Sequence, residues 1–258
     1  MASRVFITGA SSGLGAALAR EFAARGATLG LAARRREQLE QLAASLPGTH
    51  RIYPLDVTDH AALASAAQDF IAGAGGADVV IACAGISRGT LTEFPEDLPV
   101  FERVVATNLT ATMATFAPFL AAMKAQRGPR RLVGIGSVAG IRGLPGSGAY
   151  SASKAAVISY CESLRVELRG SGIEVVTITP GYIDTPMTQE NSYAMPFLMA
   201  PERFAHIAAS AIERGDSYRV IPWQMGVVAR LLRVLPNWLY DLAFARAPRK
   251  KRAFVKQI

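Results

Sequence analysis

A glycine-rich turn near the N-terminus constrains the fold of this chain more than any other stretch. Residues 4–7 form a short apolar run that is typical of a β-strand, and residues 16–25 follow with helical periodicity. The turn between them reads Thr8-Gly9-Ala10-Ser11-Ser12-Gly13-Leu14-Gly15. Gly9 permits a tight turn, while Gly13 and Gly15 let the helix N-terminus approach a pyrophosphate, whose charge the helix dipole favours. The turn therefore predicts a phosphate cradle at a strand-to-helix junction.

The alternation of strand and helix continues to residue 221. Further strands are expected at 28–33, 51–55, 78–83, 131–136, 173–179 and 218–221. Helices are expected between them, including 59–72, 98–125, 150–169 and 202–214. Seven strands separated by helices predict an α/β fold of the doubly wound Rossmann type, with a parallel sheet covered on both faces. Ligands bind such sheets at the carboxyl ends of the strands, so the residues that follow each strand are candidates for a site.

The residues after the second strand bear on the choice of nucleotide. NAD-binding folds usually place an acid near this point to contact the ribose 2′-hydroxyl, but here Ala33 is followed by Arg34-Arg35-Arg36. Arginine pairs well with a phosphate, and no carboxylate is present to repel one. The sequence therefore favours NADP(H) over NAD(H), with Arg34 as the contact. Arg35 and Arg36 are expected on the exposed face of the next helix.

A tyrosine and a lysine four residues apart, Tyr150 and Lys154, are the candidates for acid/base chemistry. This spacing puts the phenol and the ammonium on one face of a helix, about one turn apart. Free tyrosine ionises near pH ~10, and a nearby cation stabilises the phenolate. The pattern thus predicts that Lys154 lowers the pKa of Tyr150 and makes it usable as a proton carrier near neutral pH.

Taken in order, these residues resemble the short-chain dehydrogenase/reductase family over roughly residues 3–222. Thr8-Gly9-x-x-x-Gly13-x-Gly15 is similar to the family's cofactor motif, and Asp56-Val57 to the pair whose aspartate meets the adenine amino group. Pro180-Gly181 with Thr185 resembles the segment behind the nicotinamide. The match to the family's catalytic tetrad is formed by Asn108, Ser137, Tyr150 and Lys154.

The resemblance implies a function and a set of contacts. It implies that Tyr150 transfers the proton, that Ser137 stabilises the substrate oxygen, that Lys154 holds the nicotinamide ribose, and that Asn108 anchors a water. It also implies a homodimer or homotetramer formed through the helices around 98–125 and 150–169. The implied cofactor contacts are Gly9, Ser11, Ser12, Gly13, Leu14, Gly15, Arg34, Asp56, Val57, Ala84, Gly85, Tyr150, Lys154, Pro180, Gly181, Ile183 and Thr185.

One departure from the family pattern concerns the end of the fourth strand. The family commonly has Asn-Asn-Ala-Gly, whereas this chain has Ala82-Cys83-Ala84-Gly85, so contacts of the missing asparagine must be made by other groups. Cys83 is expected to be a small core residue rather than a reactive thiol. Neither cysteine lies in a CxxC or Cys/His cluster, so no structural zinc, disulfide framework or other metal site is expected.

The chain is expected to form one domain at residues 1–222, with residues 223–258 as an amphipathic and basic extension. The extension holds eight Lys or Arg residues and one acid, Asp241. It therefore carries most of the net charge of +8 of the whole chain. Its apolar part is divided at Pro236, so two short helices are expected and not a membrane span. The basic cluster from Arg246 to Lys256 favours peripheral contact with an anionic membrane, and nucleic acid is not expected because no recognition motif is present. The alternatives for the apolar part are a subunit interface or a cover over the substrate cleft.

The functional prediction is an NADP(H)-dependent oxidoreductase that interconverts a carbonyl and a secondary alcohol. Apolar residues in the loops that set specificity in this family suggest a hydrophobic substrate, either lipid-, retinoid- or steroid-like or a 3-keto lipid. The alternative is a dinucleotide-binding sensor or scaffold without catalysis, whose tail docks partners or membrane. No signal peptide is recognised at the N-terminus, so a cytoplasmic location is expected, with peripheral membrane association through the tail.

Overall fold

Seven parallel strands form one sheet in the spatial order β3-β2-β1-β4-β5-β6-β7. The computed structural model describes residues 3–191, 193–247, 249–250 and 252. The strands in chain order, β1 to β7, are Arg4–Thr8, Thr28–Ala33, Arg51–Pro54, Val79–Ala82, Arg130–Ile135, Ile173–Pro180 and Tyr218–Ile221. The order reverses between β1 and β4, which is the switch point where doubly wound sheets bind ligands. The Rossmann-type sheet expected from the sequence is confirmed, with each strand within one residue of its predicted ends.

Helices cover both faces of this sheet. In chain order, α1 to α11 are Gly13–Ala24, Arg36–Ser45, His60–Ala74, Leu98–Val105, Ala111–Phe116, Leu120–Ala125, Gly148–Glu167, Pro186–Gln189, Pro201–Arg214, Trp223–Val234 and Asn237–Phe244. One hydrophobic cluster joins the sheet to α1, α2 and α9, and a second joins its opposite face to α3, α5, α6 and α7. Successive side chains of a strand point to opposite faces of the sheet and so enter different clusters. On β1, Val5 and Ile7 belong to the first cluster and Phe6 to the second, and all three are fully buried.

The predicted helical region at 98–125 is confirmed, but its hydrogen bonding is not α-helical throughout. A π-helical turn, Ala106–Thr110, separates α4 from α5, and a 3₁₀ turn, Ala117–Phe119, separates α5 from α6. Pro118 lies in the second interruption, and because it has no backbone N–H it cannot donate the usual helical hydrogen bond. The π turn contains Asn108, and such turns are frequent at functional sites.

The segment Pro95–Ala125 is long and apolar enough to cross a membrane by length and composition. In this structure it packs as a core helix of the domain. Phe116, Phe119 and Met123 are fully buried in the cluster shared with α3 and α7. Burial inside the protein therefore accounts for part of its apolar composition, while Leu98 and Met113 of the same segment are exposed.

The C-terminal extension begins with α10 and α11, which are separated by Leu235 and Pro236, as the sequence predicts. The inner face of α10 contacts the body through Met225 and Ala229, while Tyr240 is the buried residue of α11. The outer face of the two helices is apolar and exposed. Its residues are Trp223, Val227, Leu231, Val234, Trp238 and Leu242.

Candidate active site

A cleft of about 370 Å³ opens at the carboxyl ends of the strands, beside the switch point. Every residue that the sequence assigned to cofactor binding lines this one cleft, from Gly9 at the end of β1 to Thr185 after β6. Ser137 lines it as well, whereas Asn108 lies behind its wall and is fully buried. The tertiary structure thus brings together residues that are up to 176 positions apart in the chain, counting from Gly9 to Thr185.

The glycine-rich turn leads into the N-terminus of α1, which opens into the cleft. Gly9 has φ of 71°, and a Cβ there would lie 2.8 Å from the Ala84 Cα. A Cβ on Gly15 would collide with the carbonyl oxygen of Gly9, so both glycines are needed for the turn to close on itself. The N-cap residue, Ser12, makes no capping hydrogen bond to the helix. The first N–H groups of α1 are therefore suited to bind an anion such as a pyrophosphate.

Arg35 lies across the glycine turn. Its guanidinium donates hydrogen bonds to the Ser11 Oγ, with N–O distances of 3.0 and 3.3 Å, and to the Ser12 Oγ at 2.7 Å. Arg34 and Arg35 both line the cleft. Arg36 is exposed at the start of α2 and lies 3.6 Å from Glu40 one turn later. The expectation of a helix-surface role is confirmed for Arg36 and was wrong for Arg35, because the guanidinium of Arg35 turns back onto the loop.

Asp56, after β3, is held by groups from two other elements. Its Oδ1 accepts from the Thr58 backbone N–H at 3.0 Å and hydroxyl at 2.8 Å, and its Oδ2 accepts from Arg103 at 2.5 Å. Burial acts to raise the pKa of Asp56, but the hydrogen bonds of Thr58 and Arg103 outweigh it and hold that pKa below its usual value. Arg103, on α4, also lines the cleft and was missed in the sequence because nothing local marks it.

The tetrad residues Ser137, Tyr150 and Lys154 meet at the inner end of the cleft. Ser137 follows β5, and its Oγ accepts from the Ala139 N–H at 3.2 Å and lies close enough to the Tyr150 phenol to influence its pKa. Tyr150 lies in the first turn of α7 and Lys154 one turn later on the same face, with its Nζ 6.0 Å from the tyrosine ring centroid. The Lys154 ammonium donates to the Ile135 carbonyl oxygen at 2.7 Å, which fixes its position against the end of β5.

The ionisation of this pair differs from the sequence prediction. Burial raises the pKa of Tyr150, while the Ser137 hydrogen bond acts to lower it and nearby Cys83 acts to raise it. Burial lowers the pKa of Lys154 to about 8. The prediction of a lowered tyrosine pKa was therefore wrong for the protein without its ligand, because desolvation of the phenolate is the largest effect on Tyr150.

Asn108 connects three parts of the site through its side chain. Its Oδ1 accepts from the Ile86 N–H at 2.8 Å, and its Nδ2 donates to the Ile86 carbonyl at 3.0 Å and to the Ser153 Oγ at 2.9 Å. The side chain thus ties the π turn to the loop after β4 and to α7. The preceding residue, Thr107, lines the cleft, and its buried Oγ1 has no hydrogen-bond partner among the described residues. A bound ligand would satisfy this hydroxyl.

The backbone at the departure from the family pattern, around Cys83, is held by Thr8. The Thr8 Oγ1 accepts from the backbone N–H groups of Cys83 at 3.1 Å and Ala84 at 3.2 Å, so it joins the ends of β1 and β4. Burial raises the pKa of the Cys83 thiol to about 11, which keeps it protonated near neutral pH. Cys83 also lines the cleft beside Ala84 and Gly85, so its bulk shapes the site.

The structure as described holds no group of three or more His, Cys, Asp or Glu side chains arranged for a metal ion. A nicotinamide dinucleotide fits the residues that are present: an uncapped helix N-terminus for its phosphates, arginines at one end of the cleft, and an unpartnered hydroxyl in the wall. The switch-point cleft and the group formed by Ser137, Tyr150 and Lys154 in its wall define a class of protein, namely oxidoreductases of the Rossmann type that use a nicotinamide dinucleotide.

Within that class, the chain belongs to the short-chain dehydrogenase family. The family's sequence profile, described as short chain dehydrogenase, matches residues 3–195. An uncharacterised oxidoreductase of Myxococcus xanthus is 42% identical over 246 residues, which cover 93% of this chain and 95% of that protein. The 2-dehydro-3-deoxy-L-rhamnonate dehydrogenase (NAD(+)) of a Sphingomonas species is 38% identical, over 71% of this chain and 73% of that protein.

A solved structure agrees with this assignment. The crystal structure of a short-chain dehydrogenase from Streptomyces avermitilis superposes with a TM-score of 0.82 at 25% sequence identity, over 95% of this chain and 98% of that one. The extension beyond residue 222 is therefore largely included in the likeness. The family resemblance seen in the sequence motifs is confirmed, and with it an oxidoreductase activity on the hydroxyl/carbonyl pair.

Proposed function

We propose that this protein is an NADP(H)-dependent oxidoreductase that interconverts a carbonyl and a secondary alcohol on a hydrophobic substrate. The observation that carries the proposal is the shape of the cleft. Arg34 and Arg35, after β2, lie at one end, and Ser137, Tyr150 and Lys154, beside the end of β5, lie at the other. A dinucleotide lying between these ends would bring its reactive ring to the phenol and its ribose phosphate to the arginines.

In this mechanism the nicotinamide supplies or accepts the hydride, and the chain's own residues manage the substrate oxygen. Tyr150 donates its proton to that oxygen in the direction of carbonyl reduction. The phenol is protonated at neutral pH, as an ordinary tyrosine is, so it holds the proton that carbonyl reduction requires. The Ser137 hydroxyl donates a hydrogen bond to the developing negative charge, and Lys154 holds the cofactor ribose beside the phenol. Asn108 keeps the loop after β4 and α7 in register.

The cofactor preference rests on charge at the outer end of the cleft. The position after β2 carries Ala33 and no acid, and two arginine side chains follow it along the cleft wall. A ribose 2′-phosphate would gain charge-assisted hydrogen bonds there. The Sphingomonas relative is named as an NAD(+) enzyme, so direct measurement with both cofactors is needed to test the preference.

The proposed substrate is lipid-, retinoid- or steroid-like, or a 3-keto lipid. Ile86 and Met187 line the cleft, and in the segment after β6 the rings of Tyr182 and Tyr193 contact each other with centroids 6.4 Å apart. The following residues, Phe197 and Leu198, are about half exposed. An apolar wall with exposed aromatic and aliphatic residues at its edge suits a substrate that is mostly hydrocarbon.

The test is a substrate screen that follows NADPH absorbance with ketones of increasing chain length. We expect turnover to rise with chain length in the wild-type protein. The Tyr150→Phe variant should lose turnover by several orders of magnitude while its NADPH affinity, measured by cofactor fluorescence, stays within a few-fold. Equal turnover in wild type and variant would refute the assigned role of Tyr150. NADPH binding without any turnover across the screen would favour the alternative, a dinucleotide sensor or scaffold.

We further propose a homodimer or homotetramer built on the helices of the 98–125 and 150–169 regions. Large apolar side chains are exposed there: Leu98 at 60%, Met113 at 58% and Val166 at 63%. Unpaired apolar area of this kind is typical of a protein interface. Analytical ultracentrifugation of wild type and Met113→Glu tests this, and a monomeric wild type at micromolar concentration would contradict it.

The extension supports a proposal of cytoplasmic location with peripheral contact to an anionic membrane. Trp223, Trp238 and Leu242 are exposed at 68%, 70% and 73%, and Arg230 lies on the same exposed face of α10. Indole rings and an adjacent arginine suit the boundary between headgroups and acyl chains. A symmetric dimer through this face would set like charges from two copies of Arg230 close together, which disfavours that alternative.

Cosedimentation with anionic and neutral vesicles at two salt concentrations tests the membrane proposal. We expect binding to anionic vesicles that weakens with salt, and loss of binding in a Trp223→Ala/Trp238→Ala variant. Tyr218→Ala, at an exposed aromatic residue on β7, is the matched control. No cosedimentation of the wild type in low salt would reject membrane contact. The earlier expectation gave this role to the basic cluster 246–256, of which Lys251 and Lys256 lie outside the described residues.

A further inference from the structure

The end of the described chain returns to the loop that follows β4. The Arg252 guanidinium donates hydrogen bonds to the Asp97 carboxylate at 2.8, 3.0 and 3.2 Å and to Glu96 at 3.0 Å. It also stacks over the Phe94 ring, with 3.5 Å from its central carbon to the ring centroid. The sequence assigned Arg252, as a member of the basic cluster, to contact with an anionic membrane, whereas in the structure its guanidinium is paired with carboxylates of the body.

Asp97 needs this partner because it is buried. Only 4% of its surface is exposed, and its carboxylate also accepts the backbone N–H of Leu91 at 2.8 Å. The hydrogen bonds of Arg252 lower the pKa of Asp97, so the group is charged at neutral pH. Among the residues that the structure describes, Arg252 is the one cation ion-paired with Asp97. Without it a buried carboxylate would be left without a countercharge, which proteins tolerate poorly.

The loop held in this way reaches the catalytic residues at two points, Ile86 and Thr90. Its first residue, Ile86, lines the cleft and exchanges two hydrogen bonds with Asn108. Further on, the Thr90 N–H donates to the Gly146 carbonyl at 3.3 Å, and Thr90 forms a bridge with Ser147, the N-cap residue of the helix that carries Tyr150. A displacement of the loop would therefore move both Asn108 and the start of α7.

Two further contacts join the extension to the substrate side. The Lys250 ammonium donates to the Ser87 Oγ at 3.1 Å. Arg142, in the loop between β5 and α7, donates to the Leu232 and Leu235 carbonyl groups at 2.7 and 2.8 Å, and its guanidinium lies 4.1 Å from the Tyr240 ring centroid. Both loops that flank the substrate end of the cleft are thus bonded to residues of the extension.

We propose that Arg252 is a positioning residue and that its ion pair with Asp97 fixes the outer side of the substrate cleft at the 86–97 loop. The pair holds the 86–97 loop in the conformation that Asn108 and α7 require. The C-terminal segment then acts on the substrate side of the reaction and leaves the dinucleotide side unaffected. The kinetic part of this proposal rests on the proposed function, whereas the structural part does not.

Hydrogen exchange of the full-length protein tests the structural part without any substrate. We expect the amides of residues 86–97 to exchange at least tenfold faster in Arg252→Ala than in wild type, with the strands unchanged. Arg252→Lys should recover part of the protection, since it keeps a charge near Asp97. Arg246→Ala removes the same charge from an exposed position six residues earlier and should behave as wild type. Equal protection of the loop in all four proteins would overturn the proposal.

The double variant Asp97→Asn/Arg252→Ala distinguishes an ion pair from general loss of packing. It removes the buried carboxylate together with its partner, so its loop should be better protected than that of Arg252→Ala alone. A double variant that exchanges as fast as, or faster than, Arg252→Ala would show that the charge of Asp97 is not what Arg252 satisfies, and would overturn the assignment.

The kinetic test uses the ketone that gives the highest turnover in the screen. We expect Arg252→Ala to raise KM about tenfold, with kcat reduced less and the NADPH affinity within twofold of wild type. Unchanged KM together with a faster-exchanging loop would overturn the role of the segment in the cleft wall. If wild type turns over no ketone, the proposed function fails, and hydrogen exchange still decides whether Arg252 holds the loop.

Discussion

Removing single arginines after β2 should separate the two nicotinamide cofactors. Arg34 and Arg35 both line the outer end of the cleft, while Arg36 is exposed at the start of α2. A charge-assisted hydrogen bond contributes about 1.5–3 kcal/mol net, and the exposure of both arginines to solvent favours the lower part of that range. We therefore expect Arg34→Ala to weaken NADPH binding by roughly tenfold, with little change for NADH.

Arg35→Ala should behave differently because Arg35 has a second role. Its guanidinium is hydrogen-bonded to the Ser11 and Ser12 hydroxyls, so the side chain is already ordered before a phosphate binds. The variant loses that support of the glycine turn along with the charge. We expect it to weaken NADPH by tenfold or more and NADH by a smaller factor, on the order of two to five, since the turn also binds the pyrophosphate common to both.

Titrations that follow the fluorescence of each reduced cofactor measure these affinities directly. Arg36→Ala is the matched control, because it removes an arginine of the same run that contacts Glu40 on α2. It should leave both dissociation constants within twofold of wild type. Equal losses of NADPH and NADH in Arg34→Ala would show that Arg34 stacks on the adenine and does not pair with a 2′-phosphate. Tighter binding of NADH than NADPH by the wild type would refute the preference altogether.

Three further outcomes are expected. The pKa of Lys154 is about 8 in the free protein, and a bound cofactor favours the charged form of this lysine. The affinity for NADPH should therefore be highest below pH 8 and fall above it. Fluorescence titrations at pH 7 and pH 9 check this, and Lys154→Met should remove the pH dependence. Thr8→Val leaves two backbone N–H groups without an acceptor and should lower the free energy of unfolding by about 1–3 kcal/mol in urea, whereas Thr8→Ser should stay near wild type. If the Thr107 hydroxyl meets the cofactor, Thr107→Val should weaken NADPH several-fold while leaving the urea midpoint unchanged or higher.

Most of the fold and the membership of the cleft follow from features that are local in the chain. Strand ends, the glycine turn and the break at Pro236 depend on neighbouring side chains and backbone chemistry, so their positions agree with the structure to within a residue or two. The carboxyl ends of parallel strands share one edge of the sheet. Once the strands were identified, residues as distant as Gly9 and Thr185 could be expected at one site.

Other properties depend on contacts between parts of the chain that are far apart in sequence. No pattern in the neighbouring residues indicates that the Arg35 side chain binds the glycine turn. The same is true of the ion pair between Arg252 and Asp97, which are 155 positions apart. The pKa of Tyr150 is decided by burial, which is a property of the assembled core, so a spacing of four residues to Lys154 indicated the partner but the wrong direction of the shift. Periodicity and turn chemistry depend on adjacent residues and can be recognised in the sequence. Desolvation and the choice of an ion-pair partner are determined only when distant segments pack together.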